Sequence, residues 1–300
     1  MKIAYLTDRD VIGGGMEYVR RQIYAHPNDE CRVFLSERGE CSARQMNDWG
    51  AEEIVVNHLK ALVQLMGNPL RRAKGRVTFV VHGIHLRKYD WKIKECGAWG
   101  PCALALRLAR ALRLLLERYL YRRCSRIVAL TPTDRDDILL LYGQNMRVDV
   151  EPNTLEGWTA KMSDSLPAGI EGHFKYLCIG RFDYQKGQDR WIRRIGNREQ
   201  GVGNREVGRT LFIGDGPTLG DCKRLARELG VEDLCVFAGA IPDADHYLKC
   251  AEVVVSPSRW EGMPYLMMKA RALGCRILAT DCPGNRDVLA GYEKCEKLEL

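Results

Sequence analysis

The stretch Ser256-Pro-Ser-Arg-Trp-Glu-Gly-Met-Pro-Tyr-Leu-Met-Met-Lys-Ala-Arg-Ala-Leu273 comes directly after three valines, Val253, Val254 and Val255. A short run of β-branched residues reads as a buried parallel strand. The residues after it open a helix, with Pro264 suited to the first turn, where its missing N–H is no loss. The unit is strand, loop, helix, and its loop carries one carboxylate, Glu261. Backbone N–H groups at a helix start favour an anion. A carboxylate beside such a cradle points to chemistry on a phosphorylated substrate. A solvated acid at a strand end is the plainer alternative.

The same grammar extends in both directions. Upstream, Lys175–Ile179 reads as a strand followed by Gly180-Arg181-Phe182-Asp183-Tyr184-Gln185-Lys186-Gly187. Two cations five residues apart in a strand-to-helix loop can converge on a diphosphate. The next helix is expected to break at Gly-Asn-Arg-Glu, residues 196–199, a sequence repeated at 203–206 and read as a surface loop. Thr210–Ile213 and Leu234–Phe237 read as strands and Asp243–Cys250 as a short helix. Arg276–Ala279 is a further strand, and Tyr292–Leu300 a polar tail.

In the first half, Lys2–Thr7 is a strand, and Gly13-Gly14-Gly15 leads into a helix over Met16–Ala25. Glycines there let backbone approach a ligand, although neither a full Gly-x-Gly-x-x-Gly nor a Walker loop is present and a tight turn explains them equally. Val77–Val81 is a strand ending at His82, on the side where α/β sheets bind ligands; a hydrogen-bonded structural histidine is the alternative. Leu86–Gly100 reads as a loop bearing Trp91 and Trp99, and a long helix comes next, over about Cys102–Arg123. Thr133 is expected to cap the next helix, with Asp136 at the capping-box position. Periodicity then lapses between Thr154 and Gly172, where a domain boundary is expected.

Composition sets the class. The 300 residues are 46% hydrophobic and 28% charged, ordinary for a globular chain with room for two domains. No apolar run approaches the roughly 20 residues of a membrane span, and the N-terminus enters a strand with too short an apolar core for a signal peptide. The 12 cysteines include no Cys-x-x-Cys, which argues against zinc or a redox motif and for free thiols in a reducing cytoplasm. From Lys60 to Arg126 there are 16 Lys and Arg against three acids, an excess of 13 that leaves the rest of the +7 chain at −6. Such asymmetry points to an anionic partner. Leu104, Leu108, Leu112, Leu115, Leu116 and Tyr119 form one face of the long helix, with Arg107, Arg110, Arg113, Arg118 and Arg122 largely on the other. An anionic membrane surface contacting Arg87–Arg126 is one expectation, and a core-packed helix with a solvated arginine face the other. Few aromatics interleave with the basic residues, which argues against nucleic acid.

Taken together, Gly180-Arg181…Lys186-Gly187, Gly214-Asp215-Gly216-Pro217, Phe237-Ala238-Gly239, Ser256-Pro257-Ser258…Glu261-Gly262-Met263-Pro264 and Pro283-Gly284 resemble the C-terminal domain of family 4 retaining glycosyltransferases. Gly13-Gly14-Gly15, the strand ending at His82, and Pro152-Asn153 are similar to their N-terminal domain. The resemblance implies an α/β fold of GT-B type, two Rossmann-like domains with parallel sheets facing across a cleft. It places an acceptor domain at 1–155, a linker at 156–172 and a nucleotide-sugar donor domain with a short C-terminus at 173–300. The family continues past the Asp287 position through further helices, and one of these crosses back to the first domain.

The resemblance also assigns roles. Arg181 and Lys186 would hold the donor diphosphate and neutralise the leaving group; Glu261 and His82 would lie by the transferred sugar. Gly14, Gly15, Ile241, Gly262, Met263, Pro264, Tyr265 and Lys269 complete the donor site. No cofactor or metal is implied, and the partners would be a nucleotide-sugar and a saccharide or lipid-linked acceptor, as in bacterial surface polysaccharide synthesis. The expected location is cytoplasmic, or peripheral on the inner face of the cell membrane. One residue departs from the pattern: the second acid of the family's Glu-x7-Glu falls at Lys269, which can donate but not accept. A degenerate GT-B protein that binds without turnover is the alternative this departure raises.

Overall fold

The protein is described by a computed structural model covering residues 1–8, 14–68, 70–97, 100–163, 165–199 and 208–300. The chain divides into two compact units, Met1–Asn153 and Thr154–Leu300. The second copy of Gly-Asn-Arg-Glu at 203–206, Trp99 and Gly13 lie outside the described residues.

The N-terminal unit alternates strands and helices. Its strands are β1 (Lys2–Thr7), β2 (Glu30–Leu35), β3 (Glu53–Val56), β4 (Arg76–Val81), β5 (Arg126–Ala129) and β6 (Val148–Val150). They form one parallel sheet in the order β2-β1-β3-β4-β5-β6. Its helices are α1 (Gly14–Ala25), α2 (Ala43–Trp49), α3 (Leu59–Met66), α4 (Arg87–Glu95), α5 (Pro101–Tyr121) and α6 (Pro132–Tyr142). Ile54, Val56, Phe79 and Val81 meet Leu62, Leu65, Leu120 and Ile138 in the core, as continuous apolar strands under helices must.

The C-terminal unit repeats the plan. Its strands are β7 (Tyr176–Ile179), β8 (Thr210–Ile213), β9 (Cys235–Phe237), β10 (Val253–Ser256), β11 (Arg276–Ala279) and β12 (Cys295–Lys297). They are parallel, ordered β12-β11-β10-β7-β8-β9. Its helices are α7 (Gln188–Glu199), α8 (Leu219–Glu228), α9 (Tyr265–Ala272) and α10 (Pro283–Leu289). From β7 the sheet grows one way through β8 and the other through β10. The loops after β7 and β10 therefore part at a topological switch point, where open α/β sheets form a crevice.

Several expectations are corrected. Residues 87–95 of the expected loop form helix α4, none of whose residues is fully buried, although Tyr89 packs against the core. Arg87 also anchors it, 3.1 Å from Asp134 and 2.6 Å from Asp137. The cap of α6 is Thr131, whose hydroxyl accepts from the Asp134 N–H, because Pro132 at the first helical position moves the start forward from Thr133. Helix α7 runs through Gly196, which lies against Leu229. The polar tail contains β12, paired with β11, and buries Leu298.

The largest correction concerns α5. Its leucine face is not core-packed: Leu104, Leu108, Leu112 and Leu115 are each at least 60% exposed. The buried residues are Ala103, Glu117, Leu120 and Tyr121. Glu117 is satisfied by Arg113 at 2.6 Å and by the Tyr142 hydroxyl, so this acid, with Leu120 and Tyr121 in the core, fixes the helix's rotation.

The 12 cysteines are free thiols. Burial pushes Cys41, Cys124, Cys178 and Cys222 up to about 12, while Cys96 and Cys102 are exposed.

Trp191 of α7 is fully buried, edge-on to Tyr176 at 4.9 Å, with its indole N–H donating to Thr210 at 3.1 Å. Trp191→Ala is expected to destabilise the C-terminal unit by about 3–5 kcal/mol. Urea unfolding monitored by circular dichroism reads this as a lower midpoint.

Candidate functional site at the switch point

The loop after β7 and the loop after β10 meet through one ion pair. The Lys186 ammonium lies 2.7 Å from Glu261 Oε1. Glu261 is buried and accepts further hydrogen bonds from the Ser258 hydroxyl at 2.6 Å and the Gln185 amide at 3.4 Å. Burial alone would lower the Lys186 pKa, but the Glu261 carboxylate, by charge and hydrogen bond, more than offsets it, with Asp183 adding to the upward shift. The ammonium is thus held charged at the carboxyl ends of two neighbouring strands.

Backbone packing fixes this geometry. At Gly187, in the left-handed region at φ 67°, a Cβ would stand 2.3 Å from the Pro257 carbonyl oxygen. Only glycine lets the two loops touch there. At Gly284 a Cβ would stand 1.9 Å from the Gly262 carbonyl oxygen, so the Pro283-Gly284 turn supports the Glu261 loop from behind. Arg259 adds a bidentate clamp on Asp189, at 2.9 and 2.7 Å, and stacks over Tyr184. Asn285 donates to the Ser256 hydroxyl at 3.2 Å and to the Thr280 carbonyl at 3.1 Å. Thr280 in turn donates to the Ser258 carbonyl at 2.6 Å. A cavity beside the ion pair is lined by Ile179, Lys186, Ser256, Ser258, Glu261 and Met267.

Lys186 and Glu261 are thus brought together. Arg181 is mostly exposed, with its guanidinium 3.7 Å from Asp183 in the same loop. Pro264 is the residue before α9 rather than a residue of its first turn, and no side chain caps that helix. Gly262, Met263 and Tyr265 flank this start, and Ile241 packs against the β8 side of the core. Lys269 is buried and directed elsewhere. Its ammonium lies 3.2 Å from Asp245 and 5.7 Å from the centre of the Trp158 ring, and the Trp158 indole donates to the same carboxylate at 3.3 Å. Ser258, Gln185 and Arg259 were not expected from the sequence. Ser258 had a legible signal, standing three residues before Glu261 in a tight loop; the Arg259–Asp189 clamp spans 70 positions and had none.

The other expected residues lie in the N-terminal unit. Gly14 and Gly15 begin α1, and open space surrounds the place a Gly15 side chain would take. His82 comes after β4, and its Nε2–H donates to Asn57 Oδ1 at 3.1 Å, with Tyr18 edge-on at 5.1 Å. Burial, reinforced by nearby His58, lowers His82 to about 4 and His85 to about 3. Both imidazoles are neutral near pH 7, and His82 is hydrogen-bonded to Asn57. Among the described residues no group of three or more His, Cys, Asp and Glu is placed to hold a metal ion.

Comparison with known proteins agrees with this arrangement. Residues 173–295 match the family model described as glycosyl transferases group 1. An uncharacterized glycosyltransferase of Methanocaldococcus jannaschii is 28% identical over 117 residues, covering 39% of this chain and 28% of that protein. An Escherichia coli protein named UDP-Gal:alpha-D-GlcNAc-diphosphoundecaprenol alpha-1,3-galactosyltransferase is 23% identical over 183 residues, covering 57% of this chain and 46% of that one. The chain therefore spans less than half the length of these curated relatives. Among solved structures, sucrose-phosphate synthase from Thermosynechococcus elongatus superposes with a TM-score of 0.69 at 18% identity, over 94% of this chain and 82% of that one. The fold is of the GT-B class: two α/β units, each built on a parallel six-stranded sheet.

Gly284→Ala should force the Glu261 loop to shift, and a thermal melt should show a loss of about 1–3 kcal/mol. Lowering the pH from about 6.5 towards 4 should weaken the N-terminal unit. In that window the unfolded chain takes up protons on His82 and His85 while the folded chain resists, so stability is full above 6.5 and drains as pH falls. Unfolding midpoints across this range should flatten in the His82→Gln/His85→Gln variant.

Proposed function

We propose that the protein is a retaining glycosyltransferase that moves a sugar from a nucleotide-diphosphate donor to a hydroxyl acceptor. The observation that carries this reading is the Lys186–Glu261 pair at the switch point of the second sheet. Glycosyl transfer builds negative charge on the departing diphosphate, and fixed cations at that point stabilise the transition state more than the ground state. Lys186 is held charged by Glu261, and Arg181, exposed two residues after the end of β7, can close on the same phosphates. Glu261 accepts hydrogen bonds, as a group beside sugar hydroxyls must. As the bond from the anomeric carbon to the phosphate breaks, the leaving phosphate oxygen takes the acceptor hydroxyl's proton and the acceptor oxygen bonds that carbon on the face the phosphate leaves, which preserves its configuration. In this reading the leaving-group charge falls to Arg181 and Lys186 and needs no metal.

The named activity of the Escherichia coli relative, a UDP-sugar and a lipid-linked diphosphate acceptor, supports a donor of that kind and a saccharide or lipid-linked acceptor, as in surface polysaccharide synthesis. Lys269 favours a second reading, a protein that binds a nucleotide without transfer. Its ammonium is spent on Asp245, so position 269 offers no acceptor to a ribose.

One experiment separates the two. The protein is incubated with a panel of nucleotide-sugars and released nucleoside diphosphate is measured. Release from one donor is expected, falling roughly 100-fold or more in Arg181→Ala and in Lys186→Ala. Unchanged release in both variants would refute the leaving-group role of the two cations. Thermal stabilisation by a nucleotide with no release from any donor would establish the binding-only reading.

A further inference from the structure

The exposed face of α5 is the feature the transferase reading leaves unused. Leu104, Leu108, Leu112, Leu115, Leu116 and Tyr119 all lie at the surface, four of them at 60–69% exposure. At about 100° per residue they fall within an arc of about 120°, one stripe along the helix. The stripe spans Leu104 to Tyr119 of this helix, about 22 Å at about 1.5 Å per residue. Single exposed leucines are ordinary, but a row of this length is not.

Charge says what would cover it. Arg107 and Arg118 lie along one edge of the stripe, and Arg122 and Arg123 close its C-terminal end. Arg110 and Arg113 hold Asp90 and Glu117 at 2.6 Å, and Arg123 donates to the Tyr119 hydroxyl at 2.8 Å and lies over its ring. The neighbouring α4 adds exposed Lys88 and Lys94. An apolar stripe rimmed by cations matches a surface that is apolar below and anionic at its rim. A second copy of the chain would bring the same arginines face to face, which like charges oppose. Among the described residues no helix is long and apolar enough to cross a membrane, so such a contact would lie in the plane of the surface.

We infer that α5 is a bilayer-docking helix: its leucine stripe enters the headgroup boundary of an anionic membrane while Arg107 and Arg122 at its rim meet the lipid phosphates. The contact involves the N-terminal unit alone and does not depend on the donor. Long arginine side chains reach back to the headgroups while their stems cover apolar surface.

The test is co-sedimentation of the whole protein with vesicles of phosphatidylglycerol and phosphatidylcholine, against pure phosphatidylcholine. Wild type is expected to bind the anionic vesicles and to bind the neutral ones much less. Leu108→Gln/Leu112→Gln/Leu115→Gln should bind at least tenfold more weakly with an unchanged thermal midpoint, because these side chains support nothing inside the fold. Arg107→Glu/Arg122→Glu should also weaken binding and remove its salt dependence. Equal binding by wild type and the leucine variant would overturn the inference, as would no binding by wild type. A concentration-dependent dimer in analytical ultracentrifugation, abolished by the same leucine substitutions, would assign the stripe to a second copy instead. Nucleoside diphosphate release from a soluble donor should be unaffected in the leucine variant, so the docking inference and the transferase reading fail independently.

Discussion

A lysine and a glutamate from loops 75 positions apart share one hydrogen bond, and much of the C-terminal unit is arranged around it. A half-buried ion pair loses hydration on both sides and holds only if its remaining hydrogen bonds are made. Here Ser258 and Gln185 make them. Strand order brings the two loops together, because β7 and β10 are neighbours although β8 and β9 intervene in sequence. Gly187 against Pro257, Arg259 on Asp189 and the Asn285–Thr280 pair then remove the freedom the loops would otherwise have. A charged group fixed in this way needs little reorganisation when a diphosphate arrives, which is the condition under which electrostatic stabilisation is strongest.

Much of this was legible in the sequence, for identifiable reasons. Val253, Val254 and Val255, and the parallel strands like them, announce themselves because both faces are buried and no polar alternation interrupts them. The motif residues Lys186, Glu261 and Pro283-Gly284 lie in short loops, so sequence spacing nearly fixes their position. What escaped was set by partners far along the chain. Helix α4 fully buries no residue, and Arg87 meets Asp134 and Asp137 about 50 positions along the chain. Strand β12 is too short and polar to be recognised without β11 beside it. Gly196 reads as a breaker until Leu229 is seen packed against it.

Helix α5 shows where periodicity stops being informative. A row of leucines at helical spacing describes a face equally well whether it meets a core or open solvent. The decision was made elsewhere, by Glu117, whose carboxylate finds Arg113 and Tyr142 inside the fold. Turning the helix to bury the leucines would strip that acid of its partners, and an unpaired buried carboxylate costs more than an exposed leucine row.

The cysteines give the protein an internal record of its own opening. Cys41 and Cys124 in the first unit and Cys178 and Cys222 in the second are held at about 12 by burial, so at neutral pH hardly any of their thiolate is present to react. Cys96 and Cys102 stand exposed on the surface. An alkylating reagent added to the native protein would therefore mark the surface pair first. The protected thiols would take up label only as each unit loosens, and the labelled positions would identify which unit had come apart.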